Sequence, residues 1–124
     1  KHIPALNMMV ALKREENQLA ESLAYCDKLL AVNKESVYAF SAKSRTLLKQ
    51  KKDAEAMALA LKCHGMDENN YHATGSLALA YHFNNKIKEQ NDLLNKMAMA
   101  KDSSSVLMLQ YVKDVISGKE NFRN

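Results

Sequence analysis

The chain holds one proline, three glycines and no tryptophan in 124 residues. A β-rich fold needs glycine and proline at many tight turns, so this scarcity argues against a sandwich or barrel. Cysteine is sparse too: Cys26 and Cys63 share no C-x-x-C spacing and leave the compartment open. Both fall in apolar helical pattern, where a free thiol behaves as a small hydrophobe and is expected to be buried. No apolar run approaches the length of a membrane span, so membrane insertion is not expected. No charged-then-apolar-then-small signal segment opens the chain. Charge of one sign is lacking as well, because 18 basic and 14 acidic side chains leave only +4. That mild excess is far from the concentrated basic stripe of a nucleic-acid binder, so no nucleic-acid partner is expected. The expected setting is soluble, with the cytoplasm as default. With Lys1 rather than Met first, the chain is expected to be a segment of a longer or processed protein.

What remains is helix-forming. Ala, Leu, Lys, Met, Glu and Gln dominate, and these residues fit a helix with little loss of side-chain freedom. Three polar breaks interrupt them: NKES (33–36), DENN (67–70) and KDSS (101–104). They end on Ser36, Asn70 and Ser104, 34 residues apart, each able to cap the helix that follows. Weaker breaks at Asn17, Lys52-Asp53 and Asn84-Asn85 divide each unit in two. The pattern predicts an all-α chain of about seven helices, near 3–15, 18–32, 37–50, 54–66, 71–84, 87–100 and 105–117. Short connections make neighbours antiparallel, and helix pairs repeating at a fixed period make an α-solenoid. Its units are 1–36, 37–70 and 71–104, with a last helix 105–117 and a polar tail 119–124, so one repeat domain spans 1–118. The first unit reads as carrying one extra residue between its helices. Small residues Ser44, Ala56, Cys63 and Ala78 fall at close helix crossings. Phe40, Leu47, Leu77, Tyr81 and Leu94 fill the spaces between them. Gly75, inside a helix, reads as a close-packing point.

These residues resemble the tetratricopeptide repeat family, whose 34-residue unit carries W-x2-L-G-x2-Y…A-x3-F…P. In 37–70, Phe40 matches the first aromatic, Ser44 the small residue, Leu47 the Tyr position, Ala56 the first Ala and Cys63 the later small position. In 71–104, Leu77, Ala78 and Tyr81 match L-G-x2-Y. Departures are Lys43 for Leu, Gln90 for the first Ala, Met97 for a small residue, and Lys34, Glu68 and Asp102 for the closing Pro. The resemblance implies a superhelix with a concave groove lined by the first helix of each pair, where a peptide or protein partner binds. Groove positions would be Tyr38, Ser41, Arg45, Leu48 and Lys49, then His72, Gly75, Leu79, His82 and Phe83, then Val106, Leu109 and Lys113. Ser41, Gly75 and Leu79 stand where a carboxylate-gripping set would be expected, so no such clamp is implied.

Other chemistry finds little support. His72 and His82 are ten residues apart and Cys63-His64 are adjacent, so no metal-ligand spacing exists and no metal or other cofactor is expected. No G-x-S-x-G, P-loop or phosphate-cradling glycine turn occurs, and Glu15-Glu16 are surface charge, so the chain is not read as an enzyme. The run from Lys43 to Lys52 holds Arg45 and Lys49 one turn apart, able to meet an acidic partner. The bland alternative is a solvated helix end favoured by the helix dipole. Leu79, Phe83, Val106 and Leu109 form an apolar strip that is either a partner anchor or the seat of a capping helix. The functional expectation is a protein–protein interaction module. In it Tyr38, Leu79, Phe83 and Leu109 supply apolar contacts, and Arg45, Lys49 and His82 supply polar recognition. The alternative is a structural or self-association domain, possible as a homodimer through the apolar groove positions. RNA binding is disfavoured by the modest charge and the few stacking aromatics.

Overall fold

The computed structural model describes Met9, Val10, Lys13, residues 18–119 and Phe122. Six helices run in order: α1 (Leu19–Val32), α2 (Val37–Lys49), α3 (Asp53–Met66), α4 (Tyr71–Phe83), α5 (Ile87–Met97) and α6 (Ser103–Ile116). No strand occurs among the described residues. The helix expected over 3–15 lies outside the described residues, except that Met9, Val10 and Lys13 are helical.

The fold is all-α and built as an α-solenoid. Among these six helices α1 packs on α2 alone, and it also meets Val10 of the preceding segment. α2 packs on α3 and on α4, while α4 also packs on α3, α5 and α6. Among the described residues the backbone of α1 does not approach α4, α5 or α6, nor does that of α3 approach α6. Helices wrapped round one axis would close that ring; here contact passes from each unit to the next. Connections of three to five residues fold each helix back on its neighbour.

The repeat recurs atom for atom at the turns. Lys52 N–H donates to the Leu47 carbonyl at 2.9 Å, and Lys86 N–H donates to the Tyr81 carbonyl at 2.8 Å. Gln18 N–H donates to the Lys13 carbonyl at 2.8 Å, the same bond one unit earlier. That bond puts Lys13 and Gln18 in register with Leu47 and Lys52, so the first unit has no extra residue there. The expectation of one is corrected. These bonds, six residues closing on one, end the helix in a left-handed residue. Lys51 (φ 64°) and Asn85 (φ 61°) fill that role at matching positions. A Cβ crowds the next carbonyl in either residue, but Asn tolerates this conformation better than Lys because its short polar side chain can hydrogen-bond locally. Lys51→Gly is therefore expected to raise stability by about 1 kcal/mol, checked by urea unfolding, with less gain from Asn85→Gly.

The breaks between units repeat as well. Asn33 Oδ1 accepts from Glu35 N–H at 3.0 Å, and Asp67 Oδ1 accepts from Asn69 N–H at 3.2 Å. Ser36 Oγ then caps α2 through Ala39 N–H, and Asn70 Oδ1 caps α4 through His72 and Ala73 N–H. The third break differs. α5 stops at Met97, short of the predicted 100, and Met99 is exposed. Asp102, not Ser104, caps α6, accepting from Ser105 N–H at 3.0 Å. A carboxylate does this better than a hydroxyl because its charge also meets the positive helix end. The same bond holds the Asp102 carboxyl below its ordinary pKa. The third unit is thus two residues short, with caps at 70 and 102 instead of 34 apart.

Helices cross where small residues were expected. Ser44, Ala56, Cys63 and Ala78 are fully buried, and Phe40, Leu47 and Leu77 fill the gaps; Tyr81 and Leu94 are half-buried. Ser44 Oγ donates to the Ala56 carbonyl at 2.8 Å across the α2–α3 crossing. In the first unit Ser22 Oγ donates to the Val10 carbonyl at 3.0 Å. Val10 matches Ser44 and Ser22 matches Ala56 at the repeat spacing, so the donor has changed helices while the bond stays. Units are joined by Ser76 Oγ donating to the Ser41 carbonyl at 2.9 Å, and by Asn84 Nδ2 donating to the Asp53 carbonyl at 3.0 Å.

Burial pushes the Cys63 thiol up from 9.0 to about 11, against smaller lowering by its backbone hydrogen bond and the nearby Arg45 charge. Between those values the unfolded chain loses this proton and the folded chain keeps it. Stability from this group is therefore whole below pH 9.0 and falls as pH rises toward about 11. The slope is at most about 1.4 kcal/mol per pH unit, checked by denaturant melts of the chain and of Cys63→Ala.

Candidate functional site

α2 and α4 stack so that matching positions on consecutive units share one face. Each pair is 34 residues apart: Tyr38 with His72, Ser41 with Gly75, Arg45 with Leu79, Leu48 with His82 and Lys49 with Phe83. At the N-terminal end of this face, the Tyr38 and His72 rings meet edge-on at 4.9 Å, and Tyr71 lies 4.2 Å from His72.

The middle of the face is closed. Ser41, Leu48 and Leu79 have no exposed surface and Arg45 is 5% exposed. Ser41 Oγ donates to the Tyr38 carbonyl and its own carbonyl takes the Ser76 hydroxyl, so its polar groups serve helix packing. Leu48 and Leu79 belong to the main core. The expectation that Ser41, Arg45, Leu48 and Leu79 line an open groove is therefore corrected: they form its floor. Gly75 is likewise covered, since a Cβ there would lie 2.5 Å from Met108 Sδ and 2.7 Å from its Cγ.

That glycine also fixes the register of α6. Ser76 of α4 sits against Ser41 of α2, and Met108 of α6 sits against Gly75 of α4. Met108 thus plays the part of Ser76, 32 residues on rather than 34. The short third unit carries this shift into the whole helix. Val106, Leu109 and Lys113, chosen at the full spacing, are two residues out of place. Leu109 packs half-buried against the core, and Val106 and Lys113 are exposed. Leu107 and Tyr111 hold the positions matching Gly75 and Leu79, with Leu107 70% exposed. The signal that finds them is Asp102, a better cap than Ser104.

The C-terminal end of the face holds the most elaborate contact. Phe122, in the polar stretch GKENFRN, is 5% exposed and belongs to the main core cluster. Its ring stacks on Phe83 at 5.6 Å with 22° between planes. Lys49 Nζ lies 4.3 Å from that ring's centre and donates to the Phe122 carbonyl at 2.7 Å. His82 meets Phe83 edge-on at 4.9 Å. The expectation of a polar tail over 119–124 does not include this seat.

His82 Nδ1 lies 3.2 Å from Gln90 Oε1, and Gln90 is buried. One unit earlier these two positions are Leu48 and Ala56. A polar pair has replaced an apolar pair in one slot, which explains the departure at Gln90. His82→Leu is expected to cost about 1–3 kcal/mol by leaving the buried amide unpaired. His82→Leu with Gln90→Ala should recover most of that loss in thermal unfolding.

A separate cleft of about 160 Å³ lies among α3, α4, α5 and α6, lined in part by His64, Tyr71, Leu93, Lys96 and Ser105. Burial lowers the His64 pKa, opposed by the Glu68 charge and aided by Lys96. Among the described residues, no three His, Cys, Asp or Glu side chains gather to hold a metal ion. No described helix is long and apolar enough to cross a membrane. No protein-family model matches this chain, and no curated protein matches it.

Proposed function

We propose that this chain is a non-catalytic protein–protein interaction module of the tetratricopeptide type, holding a peptide or protein segment on the face shared by α2, α4 and α6. The observation that carries this reading is the state of that face. Its floor is sealed by Leu48 and Leu79, while Tyr38, His72, His82 and Phe83 stand half-buried above it and Leu107 is exposed. Aromatic side chains offer contact area at little entropic cost, as binding surfaces do. No covalent or proton-transfer chemistry is assigned to any residue.

The test is affinity capture with three chains. Proteins retained by the unsubstituted chain should be lost by Phe83→Ala with Leu107→Glu. They should be kept by Leu61→Glu, whose site on α3 is exposed and lies off this face. Identical retention by all three chains would refute the reading.

A second reading, self-association, is favoured by Met99 and Val106, which are 76% and 50% exposed near the α5–α6 turn. Sedimentation equilibrium separates the two. A monomer at micromolar concentration excludes it, and a dimer abolished by Val106→Glu supports it.

A further inference from the structure

We infer that the Lys49–Phe83 end of this face recognises an extended segment presenting one aromatic side chain with its own backbone carbonyl, and that Phe122 is the chain's internal occupant of that site. The inference rests on the binding reading above and names the partner's chemistry. Three contacts converge on a single residue that is 73 positions from Lys49 in sequence. The Lys49 ammonium reads the carbonyl at 2.7 Å and faces the ring at 4.3 Å, and the Phe83 ring stacks on it at 5.6 Å. A cation and an aromatic face select an aromatic side chain over an aliphatic one. A carbonyl contact is open to any residue type, so specificity lies in the ring.

The residue's setting marks it as an anchor. Lys119, Glu120, Asn121, Arg123 and Asn124 are all polar, and Phe122 alone among them carries an apolar side chain. It is joined to Ile116 of α6 by five residues, a tether short enough to hold it near the site at roughly millimolar effective concentration. A partner using the same contacts must displace it. Its apparent affinity is then reduced by the fraction of time the site is open, about tenfold if Phe122 is seated nine-tenths of the time.

The experiment uses the 124-residue chain and a labelled peptide of residues 119–124, KENFRN, read by fluorescence anisotropy. The Phe122→Ala chain should bind the peptide saturably, and the unsubstituted chain about tenfold more weakly. A peptide carrying Phe122→Ala should not bind, and adding Phe83→Ala to the Phe122→Ala chain should remove the site. Circular dichroism checks helicity. If the alanine chain loses it, Phe122→Leu keeps the apolar volume, removes the ring and should give the same ranking. No peptide binding by a chain of intact helicity, or equal affinity with and without Phe122, overturns the inference. Those results leave the broader reading standing, because partner capture is scored through Leu107 as well. Partner capture unaffected by the Phe83→Ala, Leu107→Glu pair overturns the broader reading while peptide binding is still measurable.

Discussion

Leu79→Ala is expected to destabilise the chain by about 2–5 kcal/mol, lowering its thermal midpoint by on the order of 10 °C. Leu79 has no exposed surface, and α4, which carries it, touches four other helices. Truncation there removes the transfer energy of the lost methyls and leaves a cavity that the neighbouring helices fill only in part. The control is Leu107→Ala, on a residue 70% exposed, which should change stability by no more than about 0.5 kcal/mol. The pair separates floor from surface. From sequence, Leu79 reads as a contact for a partner, and its loss would weaken binding and spare the fold. With Leu79 sealed beneath the face, the melting temperature moves first.

Gly75→Leu is expected to cost about 1–3 kcal/mol by overpacking the α4–α6 contact. Even a Cβ would lie 2.5 Å from Met108 Sδ, and the rest of a leucine extends further into the same space. A leucine also gains helix propensity of somewhat under 1 kcal/mol over glycine, which offsets part of this loss. Met108→Ala alone costs about 2–5 kcal/mol as a buried truncation. Joined to Gly75→Leu it opens the room that the leucine needs, so the double variant should be more stable than the sum of the two losses allows. Urea unfolding of the four chains gives the coupling directly. In a linear stack the damage also stays local: amide exchange should quicken in α6 and leave α1 to α3 protected.

Much of the fold was legible because local chemistry sets it. Ser36 and Asn70 cap the helices they were expected to cap, and Ser44, Ala56, Cys63 and Ala78 sit at crossings. The slip came at the third break, where Asp102 and Ser104 are both capable caps two residues apart, and an unbroken 34-residue period favoured the wrong one. That choice displaced every α6 position on the face proposed to bind a partner. Burial of Leu48 and Leu79 was harder still to read, because an apolar side chain on a helix face does not reveal whether another helix covers it. The His82–Gln90 pair is intelligible only beside Leu48 and Ala56, the residues it replaces. Phe122 gave no local signal: its neighbours are polar, no period includes it, and its partners lie on two helices far back in the chain.

The stacking of units in file is tested most directly by methyl nuclear Overhauser contacts in the unsubstituted chain. The Met108 methyl should show a cross-peak to the Gly75 α protons, joining α6 to α4. Leu29 of α1 should show none to Val112 or Val115 of α6. Cross-peaks linking α1 to α6 would mean that the helices close round a common axis, and the face proposed to bind a partner would not exist.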